Sequence, residues 1–274
     1  MTGPCQRDSL HECKLFARRA TAECAKLPTS PVGNEIHSRS SREEADMERL
    51  FDEELKNLRE KLLRMAALVE ESIEASIEGL KDRKEELARD VLKKEEAINL
   101  LDVEIDETCL RLLALRQPMA GDLRFITSAM KIGVELERMG DLAVNIAERT
   151  LELLRAPLLK PLIDIPRMAK LAQAMEREAI DAFINRDDLR ARDVCRRDDE
   201  VDQLNDQIFR ELLTYMIEDP TTVTRAVGLI LVGRYLERIA DHATNIAEDV
   251  IYLVRGKTIK HHIDKVRECS IEEK

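Results

Sequence analysis

From Phe51 onward, apolar residues return every three or four positions: Phe51, Leu55, Leu58, Leu62, Met65, Val69, Ile73, Ile77 and Leu80. Such steps draw a single stripe down a helix, close to a coiled-coil seam, and suit either core packing or self-association. A polar break at 81–86 leads into a second helical pattern at 87–116. The Gln117, Pro118, Gly121 and Asp122 cluster makes a turn, and a third pattern covers 123–155. The second part of the chain repeats the plan, with helices expected at 167–185, 187–218 and 221–255. Asp219, Thr221 and Thr222 supply capping groups ahead of the last helix, and Gly256 suits its C′ position.

The prolines agree with this division. None stands between Pro31 and Pro118, a group falls at Pro157, Pro161 and Pro166, and Pro220 is the last. Proline lacks an N–H and clashes inside a helix, so its absence leaves the long segments free to be helical. The expected architecture is all-α: two similar three-helix bundles related by internal duplication, six long helices in all. Their ranges are 47–157 and 162–256. Residues 1–46 carry Gly, Pro and Ser and read as a disordered N-terminal extension, with a short helix feasible around 11–26. Residues 257–274 read as a polar tail.

The strongest evidence for duplication is a phrase that occurs twice. Glu137-Arg-Met-Gly-Asp-Leu-Ala-Val-Asn-Ile-Ala-Glu148 returns one hundred positions later as Glu237-Arg-Ile-Ala-Asp-His-Ala-Thr-Asn-Ile-Ala-Glu248, with eight of twelve residues identical. The shared residues are mostly acids, an Arg, an Asn and alanines, a selection that points beyond core packing. At roughly 100° per residue, Asp141, Asn145 and Glu148 lie at roughly 40°, 80° and 20° from Glu137. They form a narrow polar stripe opposite Ile132, Leu136, Met139, Ala143 and Ile146. Glu237, Asp241, Asn245 and Glu248 reproduce it. Gly133 and Gly233 share the same spacing, which implies close helix approach, because glycine otherwise weakens a helix.

The middle helix of each half carries acids too. Asp198, Asp202 and Asp206 follow at steps of four, and Glu95, Asn99, Asp102 and Asp106 lie on a comparable face. Like charges so placed repel. Neighbouring rows would form a carboxylate cluster needing cations, supplied by Arg138 and Arg238 or by hard metal ions. His242 has Leu142 as its counterpart and reads as incidental.

Composition narrows the function classes. The chain has 44 Lys plus Arg against 55 Asp plus Glu, a net charge of −11, with seven charges of each sign in residues 1–46. An acidic body argues against nucleic acid as partner. No apolar run is long enough for a membrane span. The six cysteines are scattered without a CxxC pair, as expected of reduced cytosolic thiols. No phosphate loop, GxSxG or HExxH occurs, and no histidine has Glu three residues before it, which counts against a ferritin-like metal oxidase. A plain helical scaffold without metal is the third reading.

The two copies, together with Arg116-Gln-Pro-Met-Ala-Gly-Asp-Leu-Arg-Phe125, resemble the PhoU family over residues 47–255. The resemblance implies a cytoplasmic, non-enzymatic protein, peripheral to the inner membrane only through partners. It further implies a negative regulator of phosphate uptake and of phosphate-starvation signalling, linking the ATPase subunit of a phosphate ABC transporter to a PhoR-type sensor histidine kinase. Divalent or trivalent metal ions, in some members multinuclear iron, are implied on paired acidic motifs. Here those motifs fall on Glu137 with Asp141, Glu237 with Asp241, and Asp198 with Asp202. In the remaining motif Glu95 is followed by Asn99 instead of an acid, so Asp102 is the expected substitute. A homodimer is also expected, with the 51–80 stripe as its contact.

Overall fold

The computed structural model describes residues 32–256. By internal packing the chain divides into Met1–Leu50 and Phe51–Lys274. In the first unit the described part is the opening of helix α1, which spans Val32–Asp82. Residues 32–46 are therefore helical, where the sequence reading placed a disordered extension. No Pro or Gly stands between Asn34 and Glu78, so nothing in the chain stops the helix from continuing upstream of its apolar stripe. The expected helix at 11–26 and the 257–274 tail lie outside the described residues.

The second unit holds the rest of α1 and five more helices: α2 (Glu85–Arg116), α3 (Ala120–Leu153), α4 (Asp164–Asn185), α5 (Asp188–Glu218) and α6 (Val223–Arg255), with a 3-10 turn at Pro220–Thr222. No strand occurs among the described residues, and no described helix is long and apolar enough to cross a membrane. Pro166, expected to break the chain, sits in the first turn of α4. The missing N–H costs nothing there, since first-turn amides have no intrahelical acceptor.

The two halves correspond in detail. Arg83 and Arg186, 103 positions apart, both adopt the left-handed conformation, with φ of 55° and 53°. Each lets the next amide close back on the preceding helix, Lys84 N–H to Gly79 O and Asp187 N–H to Ala182 O, both 2.9 Å. The 103 register thus relates α1 to α4 and α2 to α5. Three fewer residues between equivalent positions of the second and third helices reduce it to one hundred for α3 and α6. Asp187 caps α5 by accepting from Leu189 N–H and Arg190 N–H, and Gly256 ends α6 at φ 68°.

Leu55, Leu58, Leu62, Met65, Val69, Ile73, Ile77 and Leu80 are all buried inside the chain's own body. Side chains at that stripe's edges tie α1 to three helices: Lys61 to Glu104 and Arg116 to Glu54 on α2, Thr150 Oγ1 to Ser76 O on α3, and Gln173 Nε2 to Glu70 O on α4. The expectation that this stripe joins two copies is therefore corrected. Periodicity declares an apolar face without naming its cover, and here each Leu or Ile gains about 1.5–3 kcal/mol against its own neighbours.

The halves meet along α3 and α6. Lys131 lies 3.1 Å from Asp249, Glu135 2.6 Å from His242, and Arg124 Nε donates to Leu253 O at 3.2 Å. One number rises as the other falls, so the two helices run antiparallel. Each third helix also packs on the second helix of its own half.

Candidate functional site: two rows of carboxylates

The repeated phrase lies within α3 and α6. The apolar residues in and just before it turn inward as expected: Ile132, Leu136, Met139, Ala143 and Ile146, with Val232, Leu236, Ile239, Ala243 and Ile246, are fully buried. Of its acids, Glu137, Glu237 and Asp241 interact with acids of the neighbouring second helix. The paired glycines explain how that helix comes so near. A Cβ on Gly133 would stand 3.2 Å from Asp102 Oδ1, and one on Gly233 would stand 3.0 Å from Asn205 Oδ1.

In the second half the rows of α5 and α6 share one electrostatic field. Burial raises the affinity of Glu237 for its proton; Arg234 opposes this, and Asp241, Asp202 and Asp198 reinforce it. Asp241 is raised as well, first by burial and then by Asp202. Four predicted residues, Asp198, Asp202, Glu237 and Asp241, thus come together. Arg234 holds Glu237 at 2.8 Å through Oε1. Oε2 lies 2.7 Å from the same guanidinium, yet it is sealed from solvent without a properly formed hydrogen bond. The expected counter-charge Arg238 acts more weakly, on Asp241.

The first half achieves a related field with different residues. Glu137 is raised by burial, then by Asp141 and by Asp102 from α2. Asp102 is itself raised by burial and by Asp106. In the 103 register Glu95 corresponds to Asp198, Asn99 to Asp202, and Asp102 to Asn205. Acid and amide have exchanged places by one helical turn. Asp102 therefore joins the cluster as the substitute for Asn99, while Glu95 is half-buried one turn before Asn99.

Two residues stand elsewhere than expected. Asn245 leaves the acidic stripe and donates to Glu135 Oε2 at 3.2 Å across the α3–α6 seam. Its roughly 80° offset from Glu237 is enough to aim it at the other half. His242, read as incidental, places Nδ1 2.6 Å from the same oxygen. Burial alone would raise Glu135, but hydrogen bonds from His242 and Asn245, together with the charges of His242 and Arg138, hold it below the usual glutamate range. Glu135, Lys131 and Asp249 belong to no repeated pattern, so the duplicated phrase could not reveal them.

The donor chemistry fits a hard cation, being all oxygen, partly desolvated and mutually repelled. The spacing is looser: among the described residues no three His, Cys, Asp or Glu side chains close around one point. Neither described cysteine is disulfide-bonded. Burial pushes the Cys109 thiol up to about 12, which leaves it a core residue.

Comparison with known proteins gives a consistent set of matches. The PhoU domain family matches residues 62–150 and again 165–250, one copy in each half. A phosphate-specific transport system accessory protein PhoU homolog from Aquifex aeolicus is 46% identical over 208 residues, covering 76% of this chain and 94% of the relative. The homolog from Pseudomonas aeruginosa is 41% identical, covering 77% and 88%. The crystal structure of PhoU from Pseudomonas aeruginosa superposes with a TM-score of 0.73 over 76% of this chain and all of the other, at 41% identity. The phosphate transport system regulatory protein PhoU from Streptococcus pneumoniae gives 0.71 over 77% and 99%, at 30% identity.

Proposed function

Since this chain belongs to the PhoU family, we propose that it serves a phosphate-specific transport system as an accessory regulator and not as a catalyst. The observation that carries this reading is the doubled carboxylate row, presented on rigid helices in both halves of a chain whose relatives bear that name. In this reading the protein restrains phosphate uptake and starvation signalling from the cytoplasm. Its helical faces contact the transporter's ATPase subunit and a sensor histidine kinase of the PhoR type. The net charge of −11 favours basic docking surfaces on those partners.

Hard metal ions belong to the same proposal. Asp198, Asp202, Glu237 and Asp241 would hold them in one half, and Asp102, Glu137 and Asp141, with Glu95 beside them, in the other. An ion would supply counter-charge to acids that burial and mutual repulsion leave short of it. A homodimer loses its expected contact, because the α1 stripe is internal, and it is not part of the proposal.

The test is capture. Immobilised protein should retain the transporter ATPase, and inorganic phosphate should change the amount retained. A variant carrying Asp202→Asn and Asp241→Asn should lose that response to phosphate. Failure of the unaltered protein to retain the ATPase at any phosphate concentration would overturn the reading.

A further inference from the structure

The core face of α4 contains one residue that does not belong to a core. Met168, Ala172, Met175, Ala179 and Phe183 are fully buried, and among them stands Glu176, 1% exposed. Both of its carboxyl oxygens are sealed from solvent, and neither accepts a hydrogen bond. Buried polar groups are paired in the great majority of cases, so an acid with two orphan oxygens calls for a reason. Packing does not supply one. In the 103 register Glu176 corresponds to Ile73 of α1, which is fully buried at the equivalent place in the first half. The fold is satisfied there by an aliphatic side chain.

The location of Glu176 supplies the reason. Three residues before it, Gln173 Nε2 donates to Glu70 O of α1 at 3.2 Å. One residue after it, Arg177 is paired with the Glu70 carboxylate. The acid is therefore flanked by the polar ties that join the first helix of one half to the first helix of the other. The charges acting on it are Glu70 from α1, and Arg177 and Asp181 from α4 itself; among the described residues none from α3, α5 or α6 acts comparably. Burial, then the like charge of Glu70, pushes its pKa up to about 8, and Arg177, already engaged by Glu70, offsets only part.

We infer that Glu176 is a proton-operated latch on the α1–α4 seam: the seam closes around the neutral acid, and loss of its proton to solvent water loosens it. The O–H bond breaks heterolytically and leaves a carboxylate with no donor in reach, a state the closed seam cannot solvate. This goes beyond the phosphate-transport reading and does not depend on it.

The direction follows from linkage. An opened seam hydrates Glu176, returning it to the ordinary value of 4.5, whereas the closed seam keeps its proton up to about 8. Between those values the closed form binds more protons, so its advantage is full below the lower value and is lost as pH rises through the upper one. The opening constant should climb about tenfold per pH unit over that window and level off above it.

The experiment uses the full chain. Carbon-13-labelled glutamate would be titrated by NMR from acid to alkaline pH. Amide hydrogen exchange, corrected for the intrinsic chemical rate, would follow α1 and α4 across the same range in the wild type, Glu176→Gln and Glu176→Ile. One glutamate should titrate far above the rest, near the value given above. Opening of α1 and α4 should show the tenfold slope in the wild type and no slope in either variant. The inference is overturned if every glutamate titrates in the ordinary range, or if the slope survives the substitutions. It is also overturned if α2 and α5 share the slope equally, because the acid would then govern only unfolding of the whole molecule. Should neither variant fold, the wild-type titration and the comparison between helices still decide.

Discussion

Neutralising the two facing aspartates of the second half, Asp202→Asn with Asp241→Asn, should change stability in opposite directions depending on metal. Asp202 acts on Asp241, and both act on Glu237, so three repulsive pairs disappear together. Like-charge pairs at this exposure cost about 0.2–0.5 kcal/mol each, which gives the variant a gain of about 1 kcal/mol in chelator. The wild type should recover more than that when a hard cation is added. At a hundred times its dissociation constant, a ligand of the folded state alone contributes about 2.7 kcal/mol. The variant, with two of its four oxygen donors weakened, should gain little. The order of stability therefore inverts between chelator and saturating manganese, by about 3 kcal/mol in total. Urea unfolding followed by helical circular dichroism would measure it, with equal slopes confirming that the same transition is compared. Equal stabilisation of both proteins by the ion would refute the reasoning, because the rows would then hold nothing. A variant less stable than the wild type in chelator would refute the repulsive field itself.

Two further outcomes follow from the comparison of halves. Gly140 stands where the second half has Ala240, and a Cβ there would lie 3.1 and 3.2 Å from two atoms of Ile98, whose counterpart is the smaller Val201. Gly140→Ala should cost about 1 kcal/mol despite its better helix propensity, and Ile98→Val should restore most of that in a double-mutant cycle by thermal unfolding. His242→Leu should cost about 1–3 kcal/mol at neutral pH by leaving Glu135 with Asn245 alone. Glu135 is held below its ordinary 4.5, so its contribution is present above that value and lost as pH falls through the lower folded one; the penalty should shrink on acidification, as chemical denaturation at two pH values would show.

Much of this was legible in the chain because helices leave a period. The stripe from Phe51 to Leu80, the inward faces of both repeated phrases, and the Gly133 and Gly233 approach all follow from residue spacing alone. The acid rows were legible because they occur twice. What spacing could not convey was the identity of the covering surface: the α1 stripe looked as fit for a second copy as for α2, α3 and α4. Nor could it reveal features present in one half only. His242 and Glu135 have Leu142 and Tyr235 as counterparts, so the repeat that exposed the acid rows concealed the pair that joins the halves. Glu176 was discoverable, since it falls four residues after Ala172 and three before Ala179 on an apolar face. The prolines misled at one point, where Pro166 marks the start of α4 and not a gap.

Duplication makes each half a control for the other. Where both halves carry the same residue, as at Glu137 and Glu237, shared structure or shared chemistry accounts for it. Where they differ in size alone, as at Gly140 and Ala240, compensation on the facing helix accounts for it. The informative positions are those at which one half carries an apolar residue and the other an ionisable one. Ile73 and Leu142 show that the fold accepts aliphatic side chains there, yet Glu176 and His242 stand in the matching places, and both lie beside contacts between the halves. An unselected acid or histidine in a helical core is a burden on stability. Both occur where polar ties join α1 to α4 and α3 to α6. The chain has thus departed from its own symmetry at the seams that join the two halves, while the acid rows of α3 and α6 have kept it.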